Sequence, residues 1–350
     1  MKACVLHSIG DLRYEEVEDP HPEAGEVLLR VDACGVCGSD IPRVFEKGTY
    51  RFPTIPGHEF SGTVLQCGEG VDPKWVGKQV VVFPLIPCRK CAYCQAGRYA
   101  LCEDYDYLGS RSDGAFAEYV VAPEWNLTPV PAGVSQEQAA MTEPAAVAVH
   151  ALRQAGVDAG DAVMIFGAGP IGLMLGQWAR AMGAGRVLLA DIDTQRLDFA
   201  KKLGFADVRN PKEAECAAWA HEVLGRLPDV VVEASGSAAA YEQCLLCART
   251  LGRVVLMGNP AGEMKVSQNA YWSILRKELT VHGTWNSVYR AAPRDEWQLA
   301  LDFMAAGKLD VKPLITHRID LANLPQMLVN LREKTEFANK VLVVNPMCDA

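Results

Sequence analysis

The sequence has no long run of lysine and arginine and no apolar run long enough to cross a membrane. Its formal net charge is −9, from 34 basic and 43 acidic residues in a chain of 350. A nucleic-acid partner would require a basic face, and a membrane span requires roughly 18 consecutive apolar residues, so we expect neither partner. The N-terminal stretch MKACVLHSIGDLRYEE carries acidic residues early, unlike a secretory signal. We therefore expect a cytoplasmic protein with a small-molecule substrate.

Internal repeats and low-complexity segments are also missing. Because we find no export signal, the 12 cysteines are expected to be metal ligands or buried thiols rather than disulfides. The length of the chain, with 49% hydrophobic and 22% charged residues, favours two domains over one core. Metal binding is therefore the first function to test.

The composition of the chain and its predicted secondary structure change near residue 150. Residues 1–150 are rich in glycine, proline and short β-branched runs, which predicts a barrel-like β domain. Residues 151–285 alternate apolar strands with helical segments, which predicts a parallel sheet covered on both faces. Residues 286–350 contain a helix and a last strand, and spacing alone leaves open which domain they join. The predicted strands of the parallel sheet are 162–167, 186–191, 229–235, 253–258 and 279–285.

A glycine-rich turn, GAGPIG, follows the first of these strands and precedes a helical pattern. Gly167, Gly169 and Gly172 fit the dinucleotide-binding fingerprint, in which glycines permit a tight turn, approach of a pyrophosphate, and close packing of helix on strand. The N–H groups at the helix start would meet the phosphate charge. Such a motif is weak by itself, because glycines also form ordinary turns, but its position between strand and helix supports the assignment.

An acidic residue, Asp191, ends the second strand of the parallel sheet. A carboxylate there can bind both ribose hydroxyls and would repel a 2′-phosphate, which favours NAD over NADP. The alternative is a loop or helix-capping aspartate, although Asp193 is the better capping candidate. Arg196 in the next helix is placed either over the adenine or in solvent.

Four cysteines lie close together in the stretch PCRKCAYCQAGRYALC. Their spacing lets a lobe at 84–103 wrap four thiolates around one zinc ion, with an iron–sulfur cluster as the alternative. Four protein ligands fill a tetrahedral zinc and leave no position for substrate, so we expect a structural role. The four ligands are Cys88, Cys91, Cys94 and Cys102.

An open metal site must be sought in ACGVCGSD and PGHEFSG. Cys37 and His58 offer one thiolate and one imidazole, with carboxylates at Asp40, Glu59 and Glu143. A catalytic zinc takes three protein ligands and keeps a fourth position open. Taken alone, however, His58 reads more simply as a structural histidine. The C-x2-C pair at 34 and 37 would suit a redox site, but no thioredoxin pattern surrounds it.

These motifs, in this order, resemble the zinc-dependent medium-chain alcohol and polyol dehydrogenase family. The resemblance runs through CGVCGSD, PGHEFSG, the four-cysteine lobe, DGAFAEY, EPAAVAVHA, GAGPIG and KVLVV. It implies a GroES-like β-barrel catalytic domain formed by residues 1–150 and 286–350, with a Rossmann NAD-binding domain at 151–285 between them. Further motifs, such as CGSDIPRVFEKG and YLGSRSDG, resemble the galactitol-1-phosphate and sorbitol dehydrogenase branch.

The resemblance also implies a catalytic zinc held by Cys37, His58 and Glu143. A glutamate in the third position is similar to the sorbitol dehydrogenase branch, whereas simple alcohol dehydrogenases have cysteine there. Glu59 resembles the family's exchangeable or orienting carboxylate, and Cys34 becomes a core thiol. For the cofactor we expect contacts, beyond those already named, from Pro170, Ile171, Ile192, Ser235, Met257, Gly258, Asn259, Thr284 and Trp285.

Two positions depart from the family pattern on the substrate side. Arg43 stands where sorbitol dehydrogenase has a substrate-contacting tyrosine, and Asn286 stands where it has an arginine. The histidine that relays protons in simple alcohol dehydrogenases has no counterpart in SDIPRV, so we assign proton transfer to Ser39 and water. Arg43 is our candidate for binding a substrate phosphate, because a guanidinium can grip phosphate at two points.

The expected activity is oxidation of a secondary hydroxyl of a polyol or polyol phosphate with NAD. The alternatives are a diol, threonine or other secondary-alcohol dehydrogenase, and a non-catalytic dinucleotide-binding protein. Retention of the open zinc ligands speaks against the last. We also expect a homodimer or homotetramer formed through an edge strand near 265–285, because an unpaired edge invites pairing.

Overall fold

A computed structural model describes residues 1–260, 262–291 and 295–345. Its contacts divide the chain into two compact units. The first comprises Met1–Pro144, Val288–Gly307 and the segment from Val311, and the second comprises Ala145–Ser287 and Lys308–Asp310. The domain ends expected at 150/151 and 285/286 stay predictions. Within the predicted C-terminal segment, 292–294 and 346–350 lie outside the described residues.

Strands dominate the first unit and alternate with helices in the second. The strands are β1 (Lys2–Ser8), β2 (Asp11–Glu16), β3 (Glu26–Gly35), β4 (Glu59–Cys67), β5 (Gln79–Val82), β6 (Leu85–Ile86), β7 (Asp106–Tyr107), β8 (Tyr119–Pro123), β9 (Leu127–Pro129), β10 (Ala162–Phe166), β11 (Arg186–Ala190), β12 (Asp207–Arg209), β13 (Val230–Glu233), β14 (Arg253–Leu256), β15 (Thr280–Gly283), β16 (Ile315–Ile319) and β17 (Lys340–Val344). The α-helices are α1 (Asp40–Pro42), α2 (Ala92–Gln95), α3 (Gln136–Ala140), α4 (Thr142–Ala155), α5 (Pro170–Ala181), α6 (Thr194–Lys202), α7 (Cys216–Leu224), α8 (Ala238–Cys247), α9 (Gln268–Arg276), α10 (Glu296–Ala305) and α11 (Leu324–Glu333).

A seven-stranded sheet organises the first unit. Its order is β16-β17-β3-β4-β5-β9, and β8 also pairs with β3. Along β3, Val27, Leu29 and Val31 alternate with less buried residues, so one face of the strand lies in the core. The last strand, β17, pairs antiparallel with β3, so the chain's tail returns to the first unit. The unit is thus built mainly of strands, as the resemblance implied.

Two very short strands bracket the four-cysteine lobe. β6 pairs antiparallel with β7, which brings together the two ends of the segment between them. That segment contains only the single turn α2 and a 3-10 turn at Tyr99–Leu101 as regular structure. So little regular structure means that the lobe needs another source of rigidity, which a bound ion can supply.

The second unit is a six-stranded parallel sheet in the order β12-β11-β10-β13-β14-β15. Its central strand β10, AVMIF, is buried along its whole length, as expected for a strand covered on both faces. The predicted Rossmann-type sheet is thus confirmed, with each predicted strand one to three residues shorter in the structure. Strand β12 was missed, since it has only three residues and a charged residue at each end.

The strand order reverses between β10 and β13, the place where open α/β sheets bind ligands. Helix α6 follows β11 and is capped by Asp193, whose side chain accepts a hydrogen bond from Gln195 N at 2.9 Å. The capping assignment of Asp193 is therefore confirmed, which leaves Asp191 for another role. Among the described residues, no helix is long and apolar enough to cross a membrane.

The edge strand β15 has no neighbour on its outer side within the described chain. Val281 on this strand is 36% exposed, and nearby Tyr271 and Leu275 of α9 are 53% and 57% exposed. Assembly through this edge stays a prediction.

Candidate functional site

The four cysteines of the lobe converge on one point in the first unit. Their sulfur atoms all lie within 4.8 Å of one another. Four sulfurs each about 2.3 Å from a zinc ion stand roughly 3.8 Å apart at tetrahedral angles, so this group needs little adjustment to hold one ion. Cys88 Sγ and Cys94 Sγ, for example, are 4.0 Å apart. The residues present therefore fit a structural zinc.

Backbone N–H groups of the lobe favour the thiolate form of two of these cysteines. Hydrogen bonds from the backbone of Glu103 and Cys94 lower the pKa of Cys91 to about 6, and those from Lys90 and Cys91 lower the pKa of Cys88. Burial acts in the opposite direction on Cys94 and raises its pKa to about 12. The loop backbone thus favours the charged, metal-binding form of Cys88 and Cys91, whereas burial disfavours it at Cys94 and Cys102 until an ion binds.

A second group of metal ligands lies where β3 ends and β4 begins. Cys37 Sγ, a ring nitrogen of His58 and a carboxylate oxygen of Glu59 all lie within 4.8 Å of one another. His58 and Glu59 are buried, and Cys37 is partly exposed. One thiolate, one imidazole and one carboxylate form a donor set that zinc accepts, and three ligands leave a coordination position open. The residues present fit a catalytic zinc.

Glu143, the third ligand that the resemblance implies, is not in this group. It is buried in the first turn of α4, 8% exposed. Burial and the charge of Glu59 raise the pKa of the Glu143 carboxyl to about 7, while His58 acts in the opposite direction. Glu143 therefore lies close enough to Glu59 and His58 to interact with them electrostatically. Its role as a ligand remains a prediction.

Asp40 joins three parts of the centre and was named only as a nearby carboxylate in the sequence. Its side chain is fully buried, and it accepts a hydrogen bond from Cys37 N at 2.9 Å. Asp40 Oδ1 lies 3.7 Å from His58 Nδ1, which has no hydrogen-bond partner in the described chain. An acidic oxygen on that side favours a proton on Nδ1 and leaves Nε2 for a metal ion. Arg43 also forms an ion pair with Asp40.

Ser39 lies one residue before Asp40, at the start of α1. Its backbone N–H points to Cys37 Sγ at 3.5 Å, and its side chain is partly exposed. The backbone of Ser39 is thus next to the ligand group, and a role of its hydroxyl in proton transfer stays a prediction.

A buried lysine, Lys340, pairs with Glu59 and was missed by the sequence analysis. The side chains are 3% and 2% exposed, and Lys340 Nζ also donates to Val36 O at 3.0 Å. Burial alone would lower the pKa of the Lys340 ammonium, but the charges of Glu59 and Cys37 raise it. A Cβ on Gly35 would lie 2.4 Å from Glu59 Oε2, so glycine leaves the room that this ion pair occupies. Only the tertiary pairing of β17 with β3 reveals the contact.

The fingerprint glycines lie in the second unit, between β10 and α5. Gly167 has a φ of 113°, which favours glycine, and a Cβ on Gly172 would be 1.8 Å from Gly167 O. Pro170 opens α5 and Ile171 follows it, with Gly169 at the capping position. The turn has the form that the fingerprint predicts, with free N–H groups at the helix start.

Asp191 follows β11 and is held rigidly beside this turn. It is 7% exposed, and it accepts hydrogen bonds from Ala168 N at 2.7 Å and Asp193 N at 2.9 Å. Arg196 lies 3.6 Å from it and is 43% exposed, and Ile192 is 61% exposed. The carboxylate is therefore fixed in position next to the glycine turn.

The other predicted cofactor residues lie after three further strands of the same sheet. Parallel strands bring their carboxyl ends to one edge, so these positions share that edge with the glycine turn. Buried Glu233, which the sequence did not single out, accepts hydrogen bonds from Ser235 N and Ser235 Oγ at 2.8 and 2.7 Å and shapes the loop after β13. The positions are Ser235 after β13, Met257, Gly258 and Asn259 after β14, and Thr284 and Trp285 after β15.

Asn286, the second predicted substrate residue, follows directly in the second unit. Its φ is 56°, a left-handed conformation that asparagine tolerates, and its Oδ1 accepts from Ser287 Oγ at 3.2 Å. Its contact with substrate stays a prediction.

Comparisons with known proteins cover both units. Residues 23–132 match the alcohol dehydrogenase GroES-like domain, and residues 170–306 match the zinc-binding dehydrogenase domain. Galactitol 1-phosphate 5-dehydrogenase of Escherichia coli K12 is 34% identical over 98% of this chain and 100% of its own length. Sorbitol dehydrogenase of Bacillus subtilis is 32% identical over 98% and 96%. The crystal structure of the E. coli galactitol-1-phosphate dehydrogenase superposes with a TM-score of 0.92 at 34% identity, covering 99% of this chain and 100% of that one.

The two ligand groups, one complete and one open, lie in a chain whose full length aligns with these relatives. The predicted family is therefore confirmed: the chain belongs to the zinc-containing medium-chain alcohol dehydrogenases, oxidoreductases that act on alcohols and polyols.

Proposed function

We propose that the protein oxidises a secondary hydroxyl of a polyol or polyol phosphate to a ketone by hydride transfer to NAD. The observation that carries this proposal is the open group of Cys37, His58 and Glu59. The polyol class is supported by the two relatives named above, a polyol-phosphate dehydrogenase and a polyol dehydrogenase.

In this proposal Cys37 and His58 hold the catalytic zinc, with Glu143 or Glu59 as the carboxylate ligand. When bound, zinc supplies a Lewis acid that lowers the pKa of an alcohol. Cys37 in the metal-free protein has its pKa raised to about 12 by burial and by the charges of Glu59 and Asp40, so a cation is needed to stabilise the thiolate. A thiolate, a neutral imidazole and one carboxylate would together balance the charge of Zn²⁺.

The remaining residues of the centre would orient ligands and move a proton. Asp40 places a carboxylate oxygen 3.7 Å from Nδ1 of His58 and accepts a hydrogen bond from the Cys37 backbone N–H. Ser39, partly exposed beside Cys37, would take the proton of the substrate hydroxyl and pass it to water. Lys340 holds Glu59 by a buried ion pair, which limits how freely Glu59 can act as a ligand.

The choice of NAD rests on Asp191. A fixed carboxylate beside the glycine turn can accept hydrogen bonds from both ribose hydroxyls, whereas a 2′-phosphate there would meet like charge. Among the described residues, Arg196 is the one cation that contacts Asp191. It also contacts Asp193, so two carboxylates already share its charge. We therefore expect NAD to be preferred by tenfold or more, roughly the effect of one unfavourable charge contact.

The test is a substrate panel assayed by NADH or NADPH absorbance. Free hexitols and pentitols, a hexitol 1-phosphate, 2,3-butanediol and L-threonine are each assayed with NAD and with NADP. We expect the highest kcat/KM for a polyol or polyol phosphate with NAD. A preference for butanediol or threonine would support the alternative substrate class, and no turnover by zinc-loaded protein would overturn the proposal.

A further inference from the structure

The cation that the sequence offered for a substrate phosphate, Arg43, already has a partner. Its guanidinium forms an ion pair with Asp40, whose side chain is fully buried, and Arg43 itself is 15% exposed. A buried aspartate without this partner would carry an uncompensated charge, so the pair has a structural purpose. Another group is needed if the substrate carries an anion.

Arg111 is a cation in the first unit with no such partner. Its guanidinium carbon lies 4.2 Å from the ring centre of Tyr50 and 4.3 Å from that of Tyr105. Among the described residues, no carboxylate lies within ion-pair distance of it. Its Nε is buried and has no hydrogen-bond partner. Side-chain hydrogen bonds to Tyr105 and Tyr50 engage other parts of the guanidinium, so its partners in the described chain are tyrosines and not a carboxylate. An anion supplied from outside the chain can therefore still compensate its charge.

The tyrosine rings determine how Arg111 can be used. Rings that lie over a guanidinium cover its faces and restrict its rotation. A ligand can then reach only the edge that carries the N–H groups. That edge matches two oxygens of a phosphate or carboxylate. A lysine or a freely rotating arginine would lose more conformational entropy on binding the same anion.

The loop that carries Arg111 also packs against the open ligand group. Arg111 N and Ser112 N both donate to Tyr107 O, at 2.9 and 3.2 Å, which closes a tight turn. The ring centre of Tyr107 is 5.9 Å from that of His58, and 6.5 Å from that of Tyr105. Three successive ring contacts thus link His58 to Arg111 within one unit.

We propose that Arg111 binds the anionic end group of a polyol, a phosphate ester or a carboxylate, while the reacting hydroxyl lies at the Cys37–His58 centre. The inference rests on the proposed function for the position of that hydroxyl. It assigns the anion to the edge of Arg111 and not to Arg43.

The experiment compares Arg111→Gln and Arg111→Lys with wild-type enzyme and with Arg51→Gln. Arg51 is the matched control, because it is about half exposed and already pairs with Asp113 at 3.1 Å. Each zinc-loaded protein is assayed with a hexitol, its 1-phosphate and the corresponding aldonate. Binding of the same three compounds is measured by calorimetry, which does not depend on turnover. Zinc content and the thermal midpoint verify that each variant is folded.

We expect wild type and Arg51→Gln to favour one anionic compound over the free hexitol in both measurements, and the favoured compound identifies the anion. Arg111→Gln should reduce that preference by roughly 10- to 100-fold with little change for the free hexitol, and Arg111→Lys should recover only part of it. An unchanged preference in Arg111→Gln would overturn the assignment, as would a wild type that favours neither anion. Binding that depends on Arg111 without any turnover would support the anion site and overturn the proposed function instead.

Discussion

The four-cysteine lobe and the Cys37 centre are both sulfur-containing ligand groups in the same unit, but they are built in opposite ways. The lobe takes all its ligands from one short segment, and its own backbone N–H groups lower the pKa of Cys91 to about 6, although burial raises that of Cys94 to about 12. The Cys37 centre collects ligands from separate elements, and burial with neighbouring acids raises the pKa of Cys37 to about 12. Four ligands in the lobe fill the coordination sphere of one zinc ion, whereas three in the Cys37 centre leave a position open for substrate.

The largest expected effect is a loss of activity in Cys37→Ala that its neighbour's variant, Cys34→Ala, does not show. Cys37→Ala should lower kcat by about 10³-fold or more, because a lost ligand removes several kcal/mol of electrophilic stabilisation. It should retain about one zinc per chain, in the lobe. Cys34 is fully buried in the core, and Cys34→Ala should keep both zincs and most activity. Steady-state rates and metal analysis on the same samples test this, and equal losses in the two variants would remove the distinction.

The second-largest expected effect is a loss of thermal stability when a ligand of the four-cysteine lobe is replaced. Cys91→Ser should lower the thermal midpoint by several degrees, because losing a cross-link of a loop of this length costs about 3 kcal/mol. Turnover per folded molecule should stay near that of wild type, since Cys91 lies in a closed site. Calorimetric scans with activity corrected for folded fraction provide the measurement. A loss of kcat in fully folded protein would show that the lobe contributes to the chemistry.

A smaller effect concerns the ion pair of Lys340 with Glu59. Lys340→Met should free the Glu59 carboxylate to bind the metal, so zinc should dissociate into a chelator about tenfold more slowly and the visible spectrum of the cobalt-substituted enzyme should change. Adding Glu59→Gln should reverse both changes. If Lys340→Met alone leaves the cobalt spectrum as it is in wild type, the ion pair does not control ligation.

A further effect, measured without zinc, is the pH dependence of the zinc-free protein. Its folded state favours the protonated form of Glu143, because burial raises the pKa of this carboxyl from 4.5 to about 7. The associated stability is complete below about pH 4.5 and is lost as pH rises through about 7. Between pH 4.5 and 7, zinc-free wild type should therefore lose more thermal stability than zinc-free Glu143→Gln. Parallel midpoint curves for the two proteins would contradict the shift.

The sequence predicted the features that depend on local spacing. The lobe ligands, the glycine turn, Asp193 as a cap and five of the six parallel strands follow from residues that are close together in the chain. The family resemblance supplied Cys37 and His58 as ligands. The short edge strand β12 escaped detection because its residues carry no apolar periodicity.

Contacts that depend on the tertiary fold could not be predicted. Lys340 meets Glu59 only because the last strand pairs with β3, and Arg111 meets Tyr50 because the backbone N–H of Tyr50 donates to Ser110 O, next to Arg111. The sequence likewise suggested Arg43 for binding a substrate phosphate and gave no sign of its ion pair with the buried Asp40. Burial and ion pairing over long sequence distances are properties of the assembled core.

The division between a closed and an open zinc site is tested most directly by stepwise zinc removal. Wild-type enzyme is treated with a chelator, and zinc content, turnover and thermal midpoint are measured on the same samples, with Cys37→Ala as the reference for protein that holds zinc in the lobe alone. Turnover should reach zero as the content falls from two zincs to one per chain, with a midpoint still equal to that of Cys37→Ala. Turnover that persists at one zinc per chain, or that is lost only together with the fold, would contradict the account.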